Sequence, residues 1–319
     1  MIERIDELFD ADDAVMQGLN TVIGSNHIED STGLDAALDI ERLCDTLRQY
    51  TPITVLTGAG CSTASGIPDY RDFAGRWKQK PPMQYGEFMS HESARCRYWS
   101  RSMIGWVRFS SARPNPLHFA LATLEQHDLI HSLITQNVDS LHSQAGQQQV
   151  IDLHGRLADV VCTTCGDLSP REMMQQRLYE CNPDFARHIQ SGATDILRTT
   201  ADGDVLLDDL AGLDDFSIPP CSRCGGVLKP DVVFFGEAVP RERVSEAYAA
   251  LESSAMLLVV GSSLMVYSGY RFCRAAVRSN IPVVIVNAGR TRADDVAEFK
   301  IEADLFRVFD AVIDRLDVA

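Results

Sequence analysis

The feature that most constrains this chain is a junction between a strand and a glycine turn. Residues 53–56, Ile53-Thr54-Val55-Leu56, run directly into Thr57-Gly58-Ala59-Gly60. A strand ending in closely spaced glycines lets backbone N–H groups approach a pyrophosphate with no Cβ in the way. Gly-x-Gly alone also marks any tight turn, so the rest of the chain must support the reading. Further apolar strand candidates occur at 129–135, 232–235, 256–261 and 282–287, and helical segments separate most of them. Within 35–50, Ile40, Leu43, Cys44 and Leu47 keep the i, i+3, i+4, i+7 spacing of an amphipathic helix, and Pro52 ends it. This alternation predicts an α/β fold with a doubly wound, parallel, Rossmann-like sheet.

Two segments break the alternation and read as one smaller inserted domain. The predicted organisation is an acidic N-terminal extension and helix over 1–50 and a Rossmann-like domain from 51–75, 114–156 and 229–319. A small helical and zinc-binding domain takes 76–113 and 157–228. The second insert holds Cys162-Thr-Thr-Cys165 and Cys221-Ser-Arg-Cys224, with 55 residues between the pairs. The chain has nine cysteines, an odd number, and residues 1–13 carry no apolar signal region, which favours metal over disulfides. Four thiolates in two knuckles, each followed by a glycine (Gly166, Gly225), suit one tetrahedral zinc. Four protein ligands leave no site for water, so the zinc is structural, and Cys181 is not expected to join them.

Acidic residues outnumber basic ones 45 to 29, a net charge of −16. Such a surface repels phosphate backbones, which argues against nucleic acid, and it attracts lysine-bearing polypeptides. The longest apolar stretch, 256–260, is far short of the roughly 20 residues that cross a bilayer. The chain is expected to be a cytoplasmic monomer without a membrane partner. The acidic stretch 202–215 reads as a solvated loop.

Several polar groups stand at strand ends, where open α/β sheets bind ligands. Gln136, Asn137 and Asp139 follow one strand; taken alone, Asn and Asp there serve equally well as turn or cap residues. His154 precedes Gly155, and an imidazole titrating near neutrality can take a proton from a sugar hydroxyl or simply hold the fold together. Lys229-Pro-Asp-Val-Val-Phe-Phe-Gly-Glu237 reads either as a core strand or as backbone able to pair with an extended peptide.

Taken together, these strings resemble the sirtuin family of NAD-dependent protein deacylases. The resemblance is carried by Gly58-Ala-Gly-Cys-Ser-Thr-Ala-Ser-Gly-Ile-Pro-Asp-Tyr-Arg71, Gln136-Asn-Val-Asp-Ser-Leu-His142, His154-Gly155, both cysteine pairs and 229–237. The stretches Tyr98-Trp-Ser-Arg101, Pro114-Asn-Pro-Leu-His118 and Gly261-Ser-Ser-Leu-Met-Val-Tyr-Ser-Gly-Tyr-Arg271 resemble class II, the group containing a mitochondrial lipoamidase and ADP-ribosyltransferase.

The resemblance implies NAD as co-substrate and one structural Zn2+, bound by Cys162, Cys165, Cys221 and Cys224. Gly58, Ala59 and Gly60 would hold phosphates, with Ser65, Tyr70 and Arg71 beside the cofactor and Ile67 with Asp69 lining the nicotinamide pocket. Gln136, Asn137, Val138 and Asp139 would meet the ribose and amide; Gly261, Ser262, Ser263, Asn287, Ala288, Gly289 and Leu305 would bind the adenosine half. Ser262 stands where threonine is common in the family and keeps the hydroxyl. His154 would be general base, working with Asn137 and Asp139, while His142 is structural. Val233, Phe235 and Gly236 would contact the acyl-lysine substrate. Tyr98 and Arg101, one helical turn apart, have the spacing that desuccinylase-type sirtuins use to hold an acyl carboxylate, and read equally as surface or packing residues. The implied reaction moves the acyl group of an acylated-lysine protein to ADP-ribose, releasing nicotinamide and O-acyl-ADP-ribose. An ADP-ribosyltransferase would use the same cofactor residues, and a non-catalytic NAD-responsive binding protein is the third reading.

Overall fold

The computed structural model describes residues 33–78, 82–190, 203 and 215–318. The extension before residue 33 and most of 202–215 lie outside the described residues. Helix α1 (Gly33–Gln49) leads into β1 (Ile53–Thr57), and a six-stranded sheet is built around that strand. Its other members are β2 (Ile130–Thr135), β3 (Val150–Asp152), β7 (Met256–Val260), β8 (Val283–Val286) and β9 (Phe299–Ile301). The order is β3-β2-β1-β7-β8-β9, and every pairing is parallel. The predicted doubly wound sheet is therefore present, and its strand order reverses between β1 and β7.

The central strands read as unbroken apolar runs because helices cover both faces. Side chains alternate between the two layers with the period of a strand. Ile53, Val55, Met256, Leu258, Val260, Val284 and Val286 enter one core with α1, α4 (Pro116–Gln126) and α10 (Leu305–Leu316). Leu56, Leu257, Val259, Val283 and Ile285 enter the other with α8 (Arg241–Glu252) and α9 (Tyr267–Arg278). Leu258 is fully buried, so truncating it to alanine should cost about 2–5 kcal/mol.

A second sheet, antiparallel in the order β5-β4-β6, comprises β4 (Gly155–Cys162), β5 (Leu168–Pro170) and β6 (Leu228–Val232). It shares a core with α2 (Tyr85–Ser90), α3 (Glu92–Phe109), α6 (Arg171–Cys181) and α7 (Pro183–Gln190), built on Phe88, Tyr98, Trp99, Met174 and Phe234. One strand expectation is corrected here. The ladder runs over Leu228–Val232 rather than 232–235, and it belongs to this small sheet. The polar start of β6 is tolerated because Lys229, 5% exposed, pairs internally with Glu237.

Candidate active site

The carboxyl ends of β1, β2 and β7 converge at the strand-order reversal, the place where open α/β sheets bind ligands. Gly58 N donates to Val260 O and Gly60 N to Gly261 O, at 3.2 and 2.9 Å, so the two glycine loops lie flat on each other. A Cβ on Gly60 would sit 2.8 Å from Gly261 O, a backbone atom that cannot yield. Leu305 closes the floor beneath: a Cβ on Gly261 would come 3.0 Å from its Cδ1. Beside them, Asn287 Nδ2 donates to Gly289 O, Arg292 N donates to Ser263 O, and Ala288 is half-buried.

From β2, Gln136 Nε2 donates to Ser262 Oγ at 2.7 Å and to Thr57 O at 3.1 Å. Asn137 Nδ2 donates to Gly58 O and to Ser62 Oγ, both at 3.1 Å, and Ser62 Oγ donates to Asp139 Oδ2 at 2.7 Å. Burial raises the Asp139 carboxyl, opposed by the Leu141 amide and the Ser62 hydroxyl. Asn115 caps α4, accepting from Leu117 N and His118 N, and its amide nitrogen reaches Cys61 O at 2.8 Å and Ser65 Oγ at 2.9 Å. A helix cap thus doubles as a clamp on the glycine loop.

His154 sits where β3 gives way to β4. Its Nδ1 lies 3.0 Å from Gln136 O, which can only accept, so Nδ1 carries the proton. Nε2 is left as an acceptor, 2.7 Å from Ser268 Oγ. Burial pushes the imidazole down to about 4; the Gln136 carbonyl opposes this, while Arg243 and Arg271 add to it. The expected base is thus held neutral. His142 is structural in position, buried and bonded to Thr57 Oγ1 at 3.1 Å.

Val233 N donates to His154 O at 2.9 Å, which ties the expected substrate stretch to the histidine. Beyond it the chain alternates. Phe234 turns into the small core against Phe88 and Tyr98, and Phe235 turns toward the glycine-loop hairpin, meeting Trp77 at 5.4 Å and Tyr70 at 6.3 Å. Gly236, exposed and at φ +78°, ends the stretch. Within the hairpin, Arg71 stacks on Trp77 at 4.1 Å and donates to Gly75 O, and Asp69 pairs with Lys78. Ile67 is buried in the core shared with the second sheet, and Val138 packs against that core. Tyr98, 2% exposed, has its ring among Phe88, Trp99 and Phe234, and Arg101 is half-buried on the same helix.

The four cysteines form a separate cluster, with all four Sγ atoms within 4.8 Å of one another. The pairs Cys162–Cys224 and Cys165–Cys221 stand at 3.5 and 3.9 Å. A tetrahedron with Zn–S of about 2.3 Å has edges of about 3.8 Å, so the cluster fits one zinc. Gly166 and Gly225, at φ +71° and +76°, turn each knuckle, and their N–H groups donate to Cys162 O and Cys221 O. Backbone amides, that of Cys165 foremost, lower the Cys162 thiol to about 6, toward the thiolate a metal needs.

The Sir2 family profile matches residues 58–268, from the glycine turn to the start of α9. The chain belongs to the Sir2 family. A Sir2-family relative from Bordetella bronchiseptica, an NAD-dependent protein deacetylase, is 52% identical over 277 residues, covering 86% of this chain and 97% of its own. NAD-dependent protein lipoamidase sirtuin-4, mitochondrial, of Bos taurus is 43% identical over 283 residues, covering 86% and 87%. Among solved structures, "Sir2 bound to acetylated peptide" superposes with a TM-score of 0.68 at 29% identity over 88% of this chain and 99% of that one. "Sir2-p53 peptide-NAD+" gives 0.67 at 30% over the same shares. Among the described residues, no helix is long and apolar enough to cross a membrane.

Ser62, Asn115 and Ser268 were not singled out from sequence. Ser62 lies inside the glycine string, and Asn115-Pro116 followed by His118 is a cap signature. Ser268 lies inside the Gly261 to Arg271 string, which does not mark it as a neighbour of His154.

Proposed function

We propose that this chain is an NAD-dependent protein lysine deacylase that passes the acyl group to ADP-ribose and releases nicotinamide and O-acyl-ADP-ribose. One observation carries the reading: a histidine fixed in its neutral tautomer, with Nε2 as acceptor, stands between the residue that follows β2 and the start of α9 and is bonded through its backbone to the 229–237 stretch. Bound NAD supplies an anomeric carbon with nicotinamide as leaving group. The residues suited to hold it are the apposed glycine loops, Gln136, Asn137, Asp139 and Ser262, which offer amides, hydroxyls and one carboxylate on backbone set too tightly for a Cβ.

In this reading the ribose hydroxyl displaces Ser268 as donor to Nε2, and His154 takes its proton there. Asn137 and Asp139, locked by Ser62, orient the sugar. The Tyr70, Trp77 and Phe235 rings keep water from the acyl channel, where proximity must offset the weak nucleophilicity of an amide oxygen. Beyond β6, Val233 N, Phe234 N and Phe235 O are bonded within the protein, so an extended substrate peptide would pair with the backbone groups between them. The zinc is structural, and the enzyme is taken as a cytoplasmic monomer acting on acyl-lysine proteins without nucleic acid or membrane. The deacetylase and lipoamidase names of its relatives put acetyl and lipoyl first among acyl groups.

The test is mass spectrometry of acetyl-, lipoyl-, succinyl- and methylglutaryl-lysine peptides incubated with NAD and the wild-type or His154→Ala protein. NAD-dependent O-acyl-ADP-ribose from the wild type alone upholds the reading. Intact peptides in the presence of bound NAD overturn it.

A further inference from the structure

We propose that Ser268 is a positioning residue for the base: its hydroxyl, at Nε2, holds the His154 ring in the orientation that keeps the proton of the neutral form on Nδ1. The inference rests on the deacylase reading for its consequence, but its geometry stands alone. His154 has two polar neighbours in line with its ring nitrogens. Gln136 O can only accept, so it fixes the proton on Nδ1; the serine hydroxyl at 2.7 Å must then donate to Nε2.

The adjacent residue shows why the serine reaches the ring. Gly269 is buried, and a Cβ there would sit 2.4 Å from Gln136 Oε1, so the helix presses directly on the residue that holds the other side of His154. One turn on, Arg271 of α9 and, from α8, Arg243 disfavour an imidazolium. Arg243 is paired with Asp231 at 2.7 Å, and Asp152, two residues before His154, is itself raised to about 6 by burial. The arginines act through space and would act equally on a rotated ring; the Gln136 and Ser268 bonds, one on each ring nitrogen, also specify its orientation. Protonation of His154 would turn the hydroxyl round to accept from Nε2–H, so the contact holds the ring in either form.

The experiment is a titration of 15N-histidine-labelled protein, with the His154 signals assigned by His154→Gln, for wild type, Ser268→Ala and Ser268→Thr. In Ser268→Ala the imidazolium loses its acceptor at Nε2, a larger loss than that of the neutral ring's bond, so the His154 pKa should fall by about 0.5 to 1 unit, with threonine restoring the wild-type value. The acid limb of kcat/KM for an acetyl-lysine peptide should move by the same amount, with KM for NAD changed less than about twofold. An unmoved His154 titration in Ser268→Ala, or equal shifts in the alanine and threonine variants, overturns the proposal. If the wild type deacylates nothing, the functional reading fails, and the titration alone still decides the role of Ser268.

Discussion

Ser62 donates to Asp139 at 2.7 Å while accepting from Asn137 at 3.1 Å, so one hydroxyl of the glycine loop fixes two side chains that arrive from β2. Removing it should act through both. A hydrogen bond to a carboxylate is worth about 1.5–3 kcal/mol, so Ser62→Ala should lower kcat/KM for NAD by about 10-fold to 100-fold. Asp139 is already raised by burial, and without Ser62 it rises further. The deficit should therefore grow as the pH falls; a loss that does not change with pH would refute the coupling.

A base must be neutral to accept a proton, and burial holds His154 neutral down to about 4. The sign follows directly: a depressed histidine pKa extends the active form to lower pH. The acid limb of kcat/KM that depends on His154 should lie nearer 4 than the ordinary 6.5. His154→Ala should lose about 100-fold to 10,000-fold in kcat and abolish that limb. A limb near 6.5 in the wild type would mean that the ring is far better solvated than its surroundings indicate.

The main sheet was legible because a central strand buried on both faces leaves an unmistakable apolar run, as in 256–261. The edge strands β3 and β9 were not, since Val150-Ile-Asp152 and Phe299-Lys-Ile301 are three residues long with mixed polarity. Val232 to Phe235 misled for a physical reason. Its apolarity serves two different neighbours, the small core at Phe234 and the glycine-loop hairpin at Phe235, rather than one ladder. The glycine loop and the zinc cysteines were readable because their chemistry needs fixed spacing. Ser268 was not, because nothing local to its sequence shows that a helix N-terminus will come to rest on His154.

Beneath the glycine loop, His118 and His142 are fully buried with ring centroids 4.7 Å apart. Burial pushes His118 down to about 4 and His142 well below 6.5, the latter also by the charge of His118. Both folded-state values are lower than in the unfolded chain, so the unfolded chain binds more protons between about pH 4 and 6.5. Stability should fall as pH drops through that window, by up to about 1.4 kcal/mol per pH unit for each group. Thermal melts from pH 7.5 to 4.5 should show the slope, and His118→Gln should flatten it. An unchanged slope in that variant would remove the pair from the acid response.

The zinc cluster lies at the far end of the strand that begins one residue after His154, since β4 runs from Gly155 to Cys162. Val233, which bonds to the His154 carbonyl, directly follows β6, the partner of β4. Loss of the metal should therefore reach the base. Cys221→Ala, or treatment with a chelator under mild denaturant, should release about one equivalent of zinc per chain and lower peptide turnover at least tenfold. Zinc content by atomic emission, measured beside activity, checks both; full turnover by zinc-free protein would separate the cluster from the site.

Lys229 and Glu237 bracket the expected substrate stretch with a buried ion pair at 3.0 Å, 7% and 19% exposed. Glu237 also accepts from Phe234 N at 2.8 Å, and Lys229 donates to Val232 O, so the pair pins both ends of the segment that presents Val233 and Phe235. Burial lowers the Lys229 pKa, opposed chiefly by Glu237, which makes the lysine costly to leave alone. Glu237→Ala should destabilise the protein by about 3–5 kcal/mol, because it strands a buried charge. Replacing both residues, Lys229→Met with Glu237→Leu, should recover much of that loss, since an apolar pair can fill the same space. Peptide binding should not recover with it: the Phe234 N–H bond is still missing, so KM for the acyl peptide should stay raised while KM for NAD returns toward wild type. Thermal melts with the two KM values distinguish the cases, and simultaneous recovery of both KM values would show that the pair supplies packing alone.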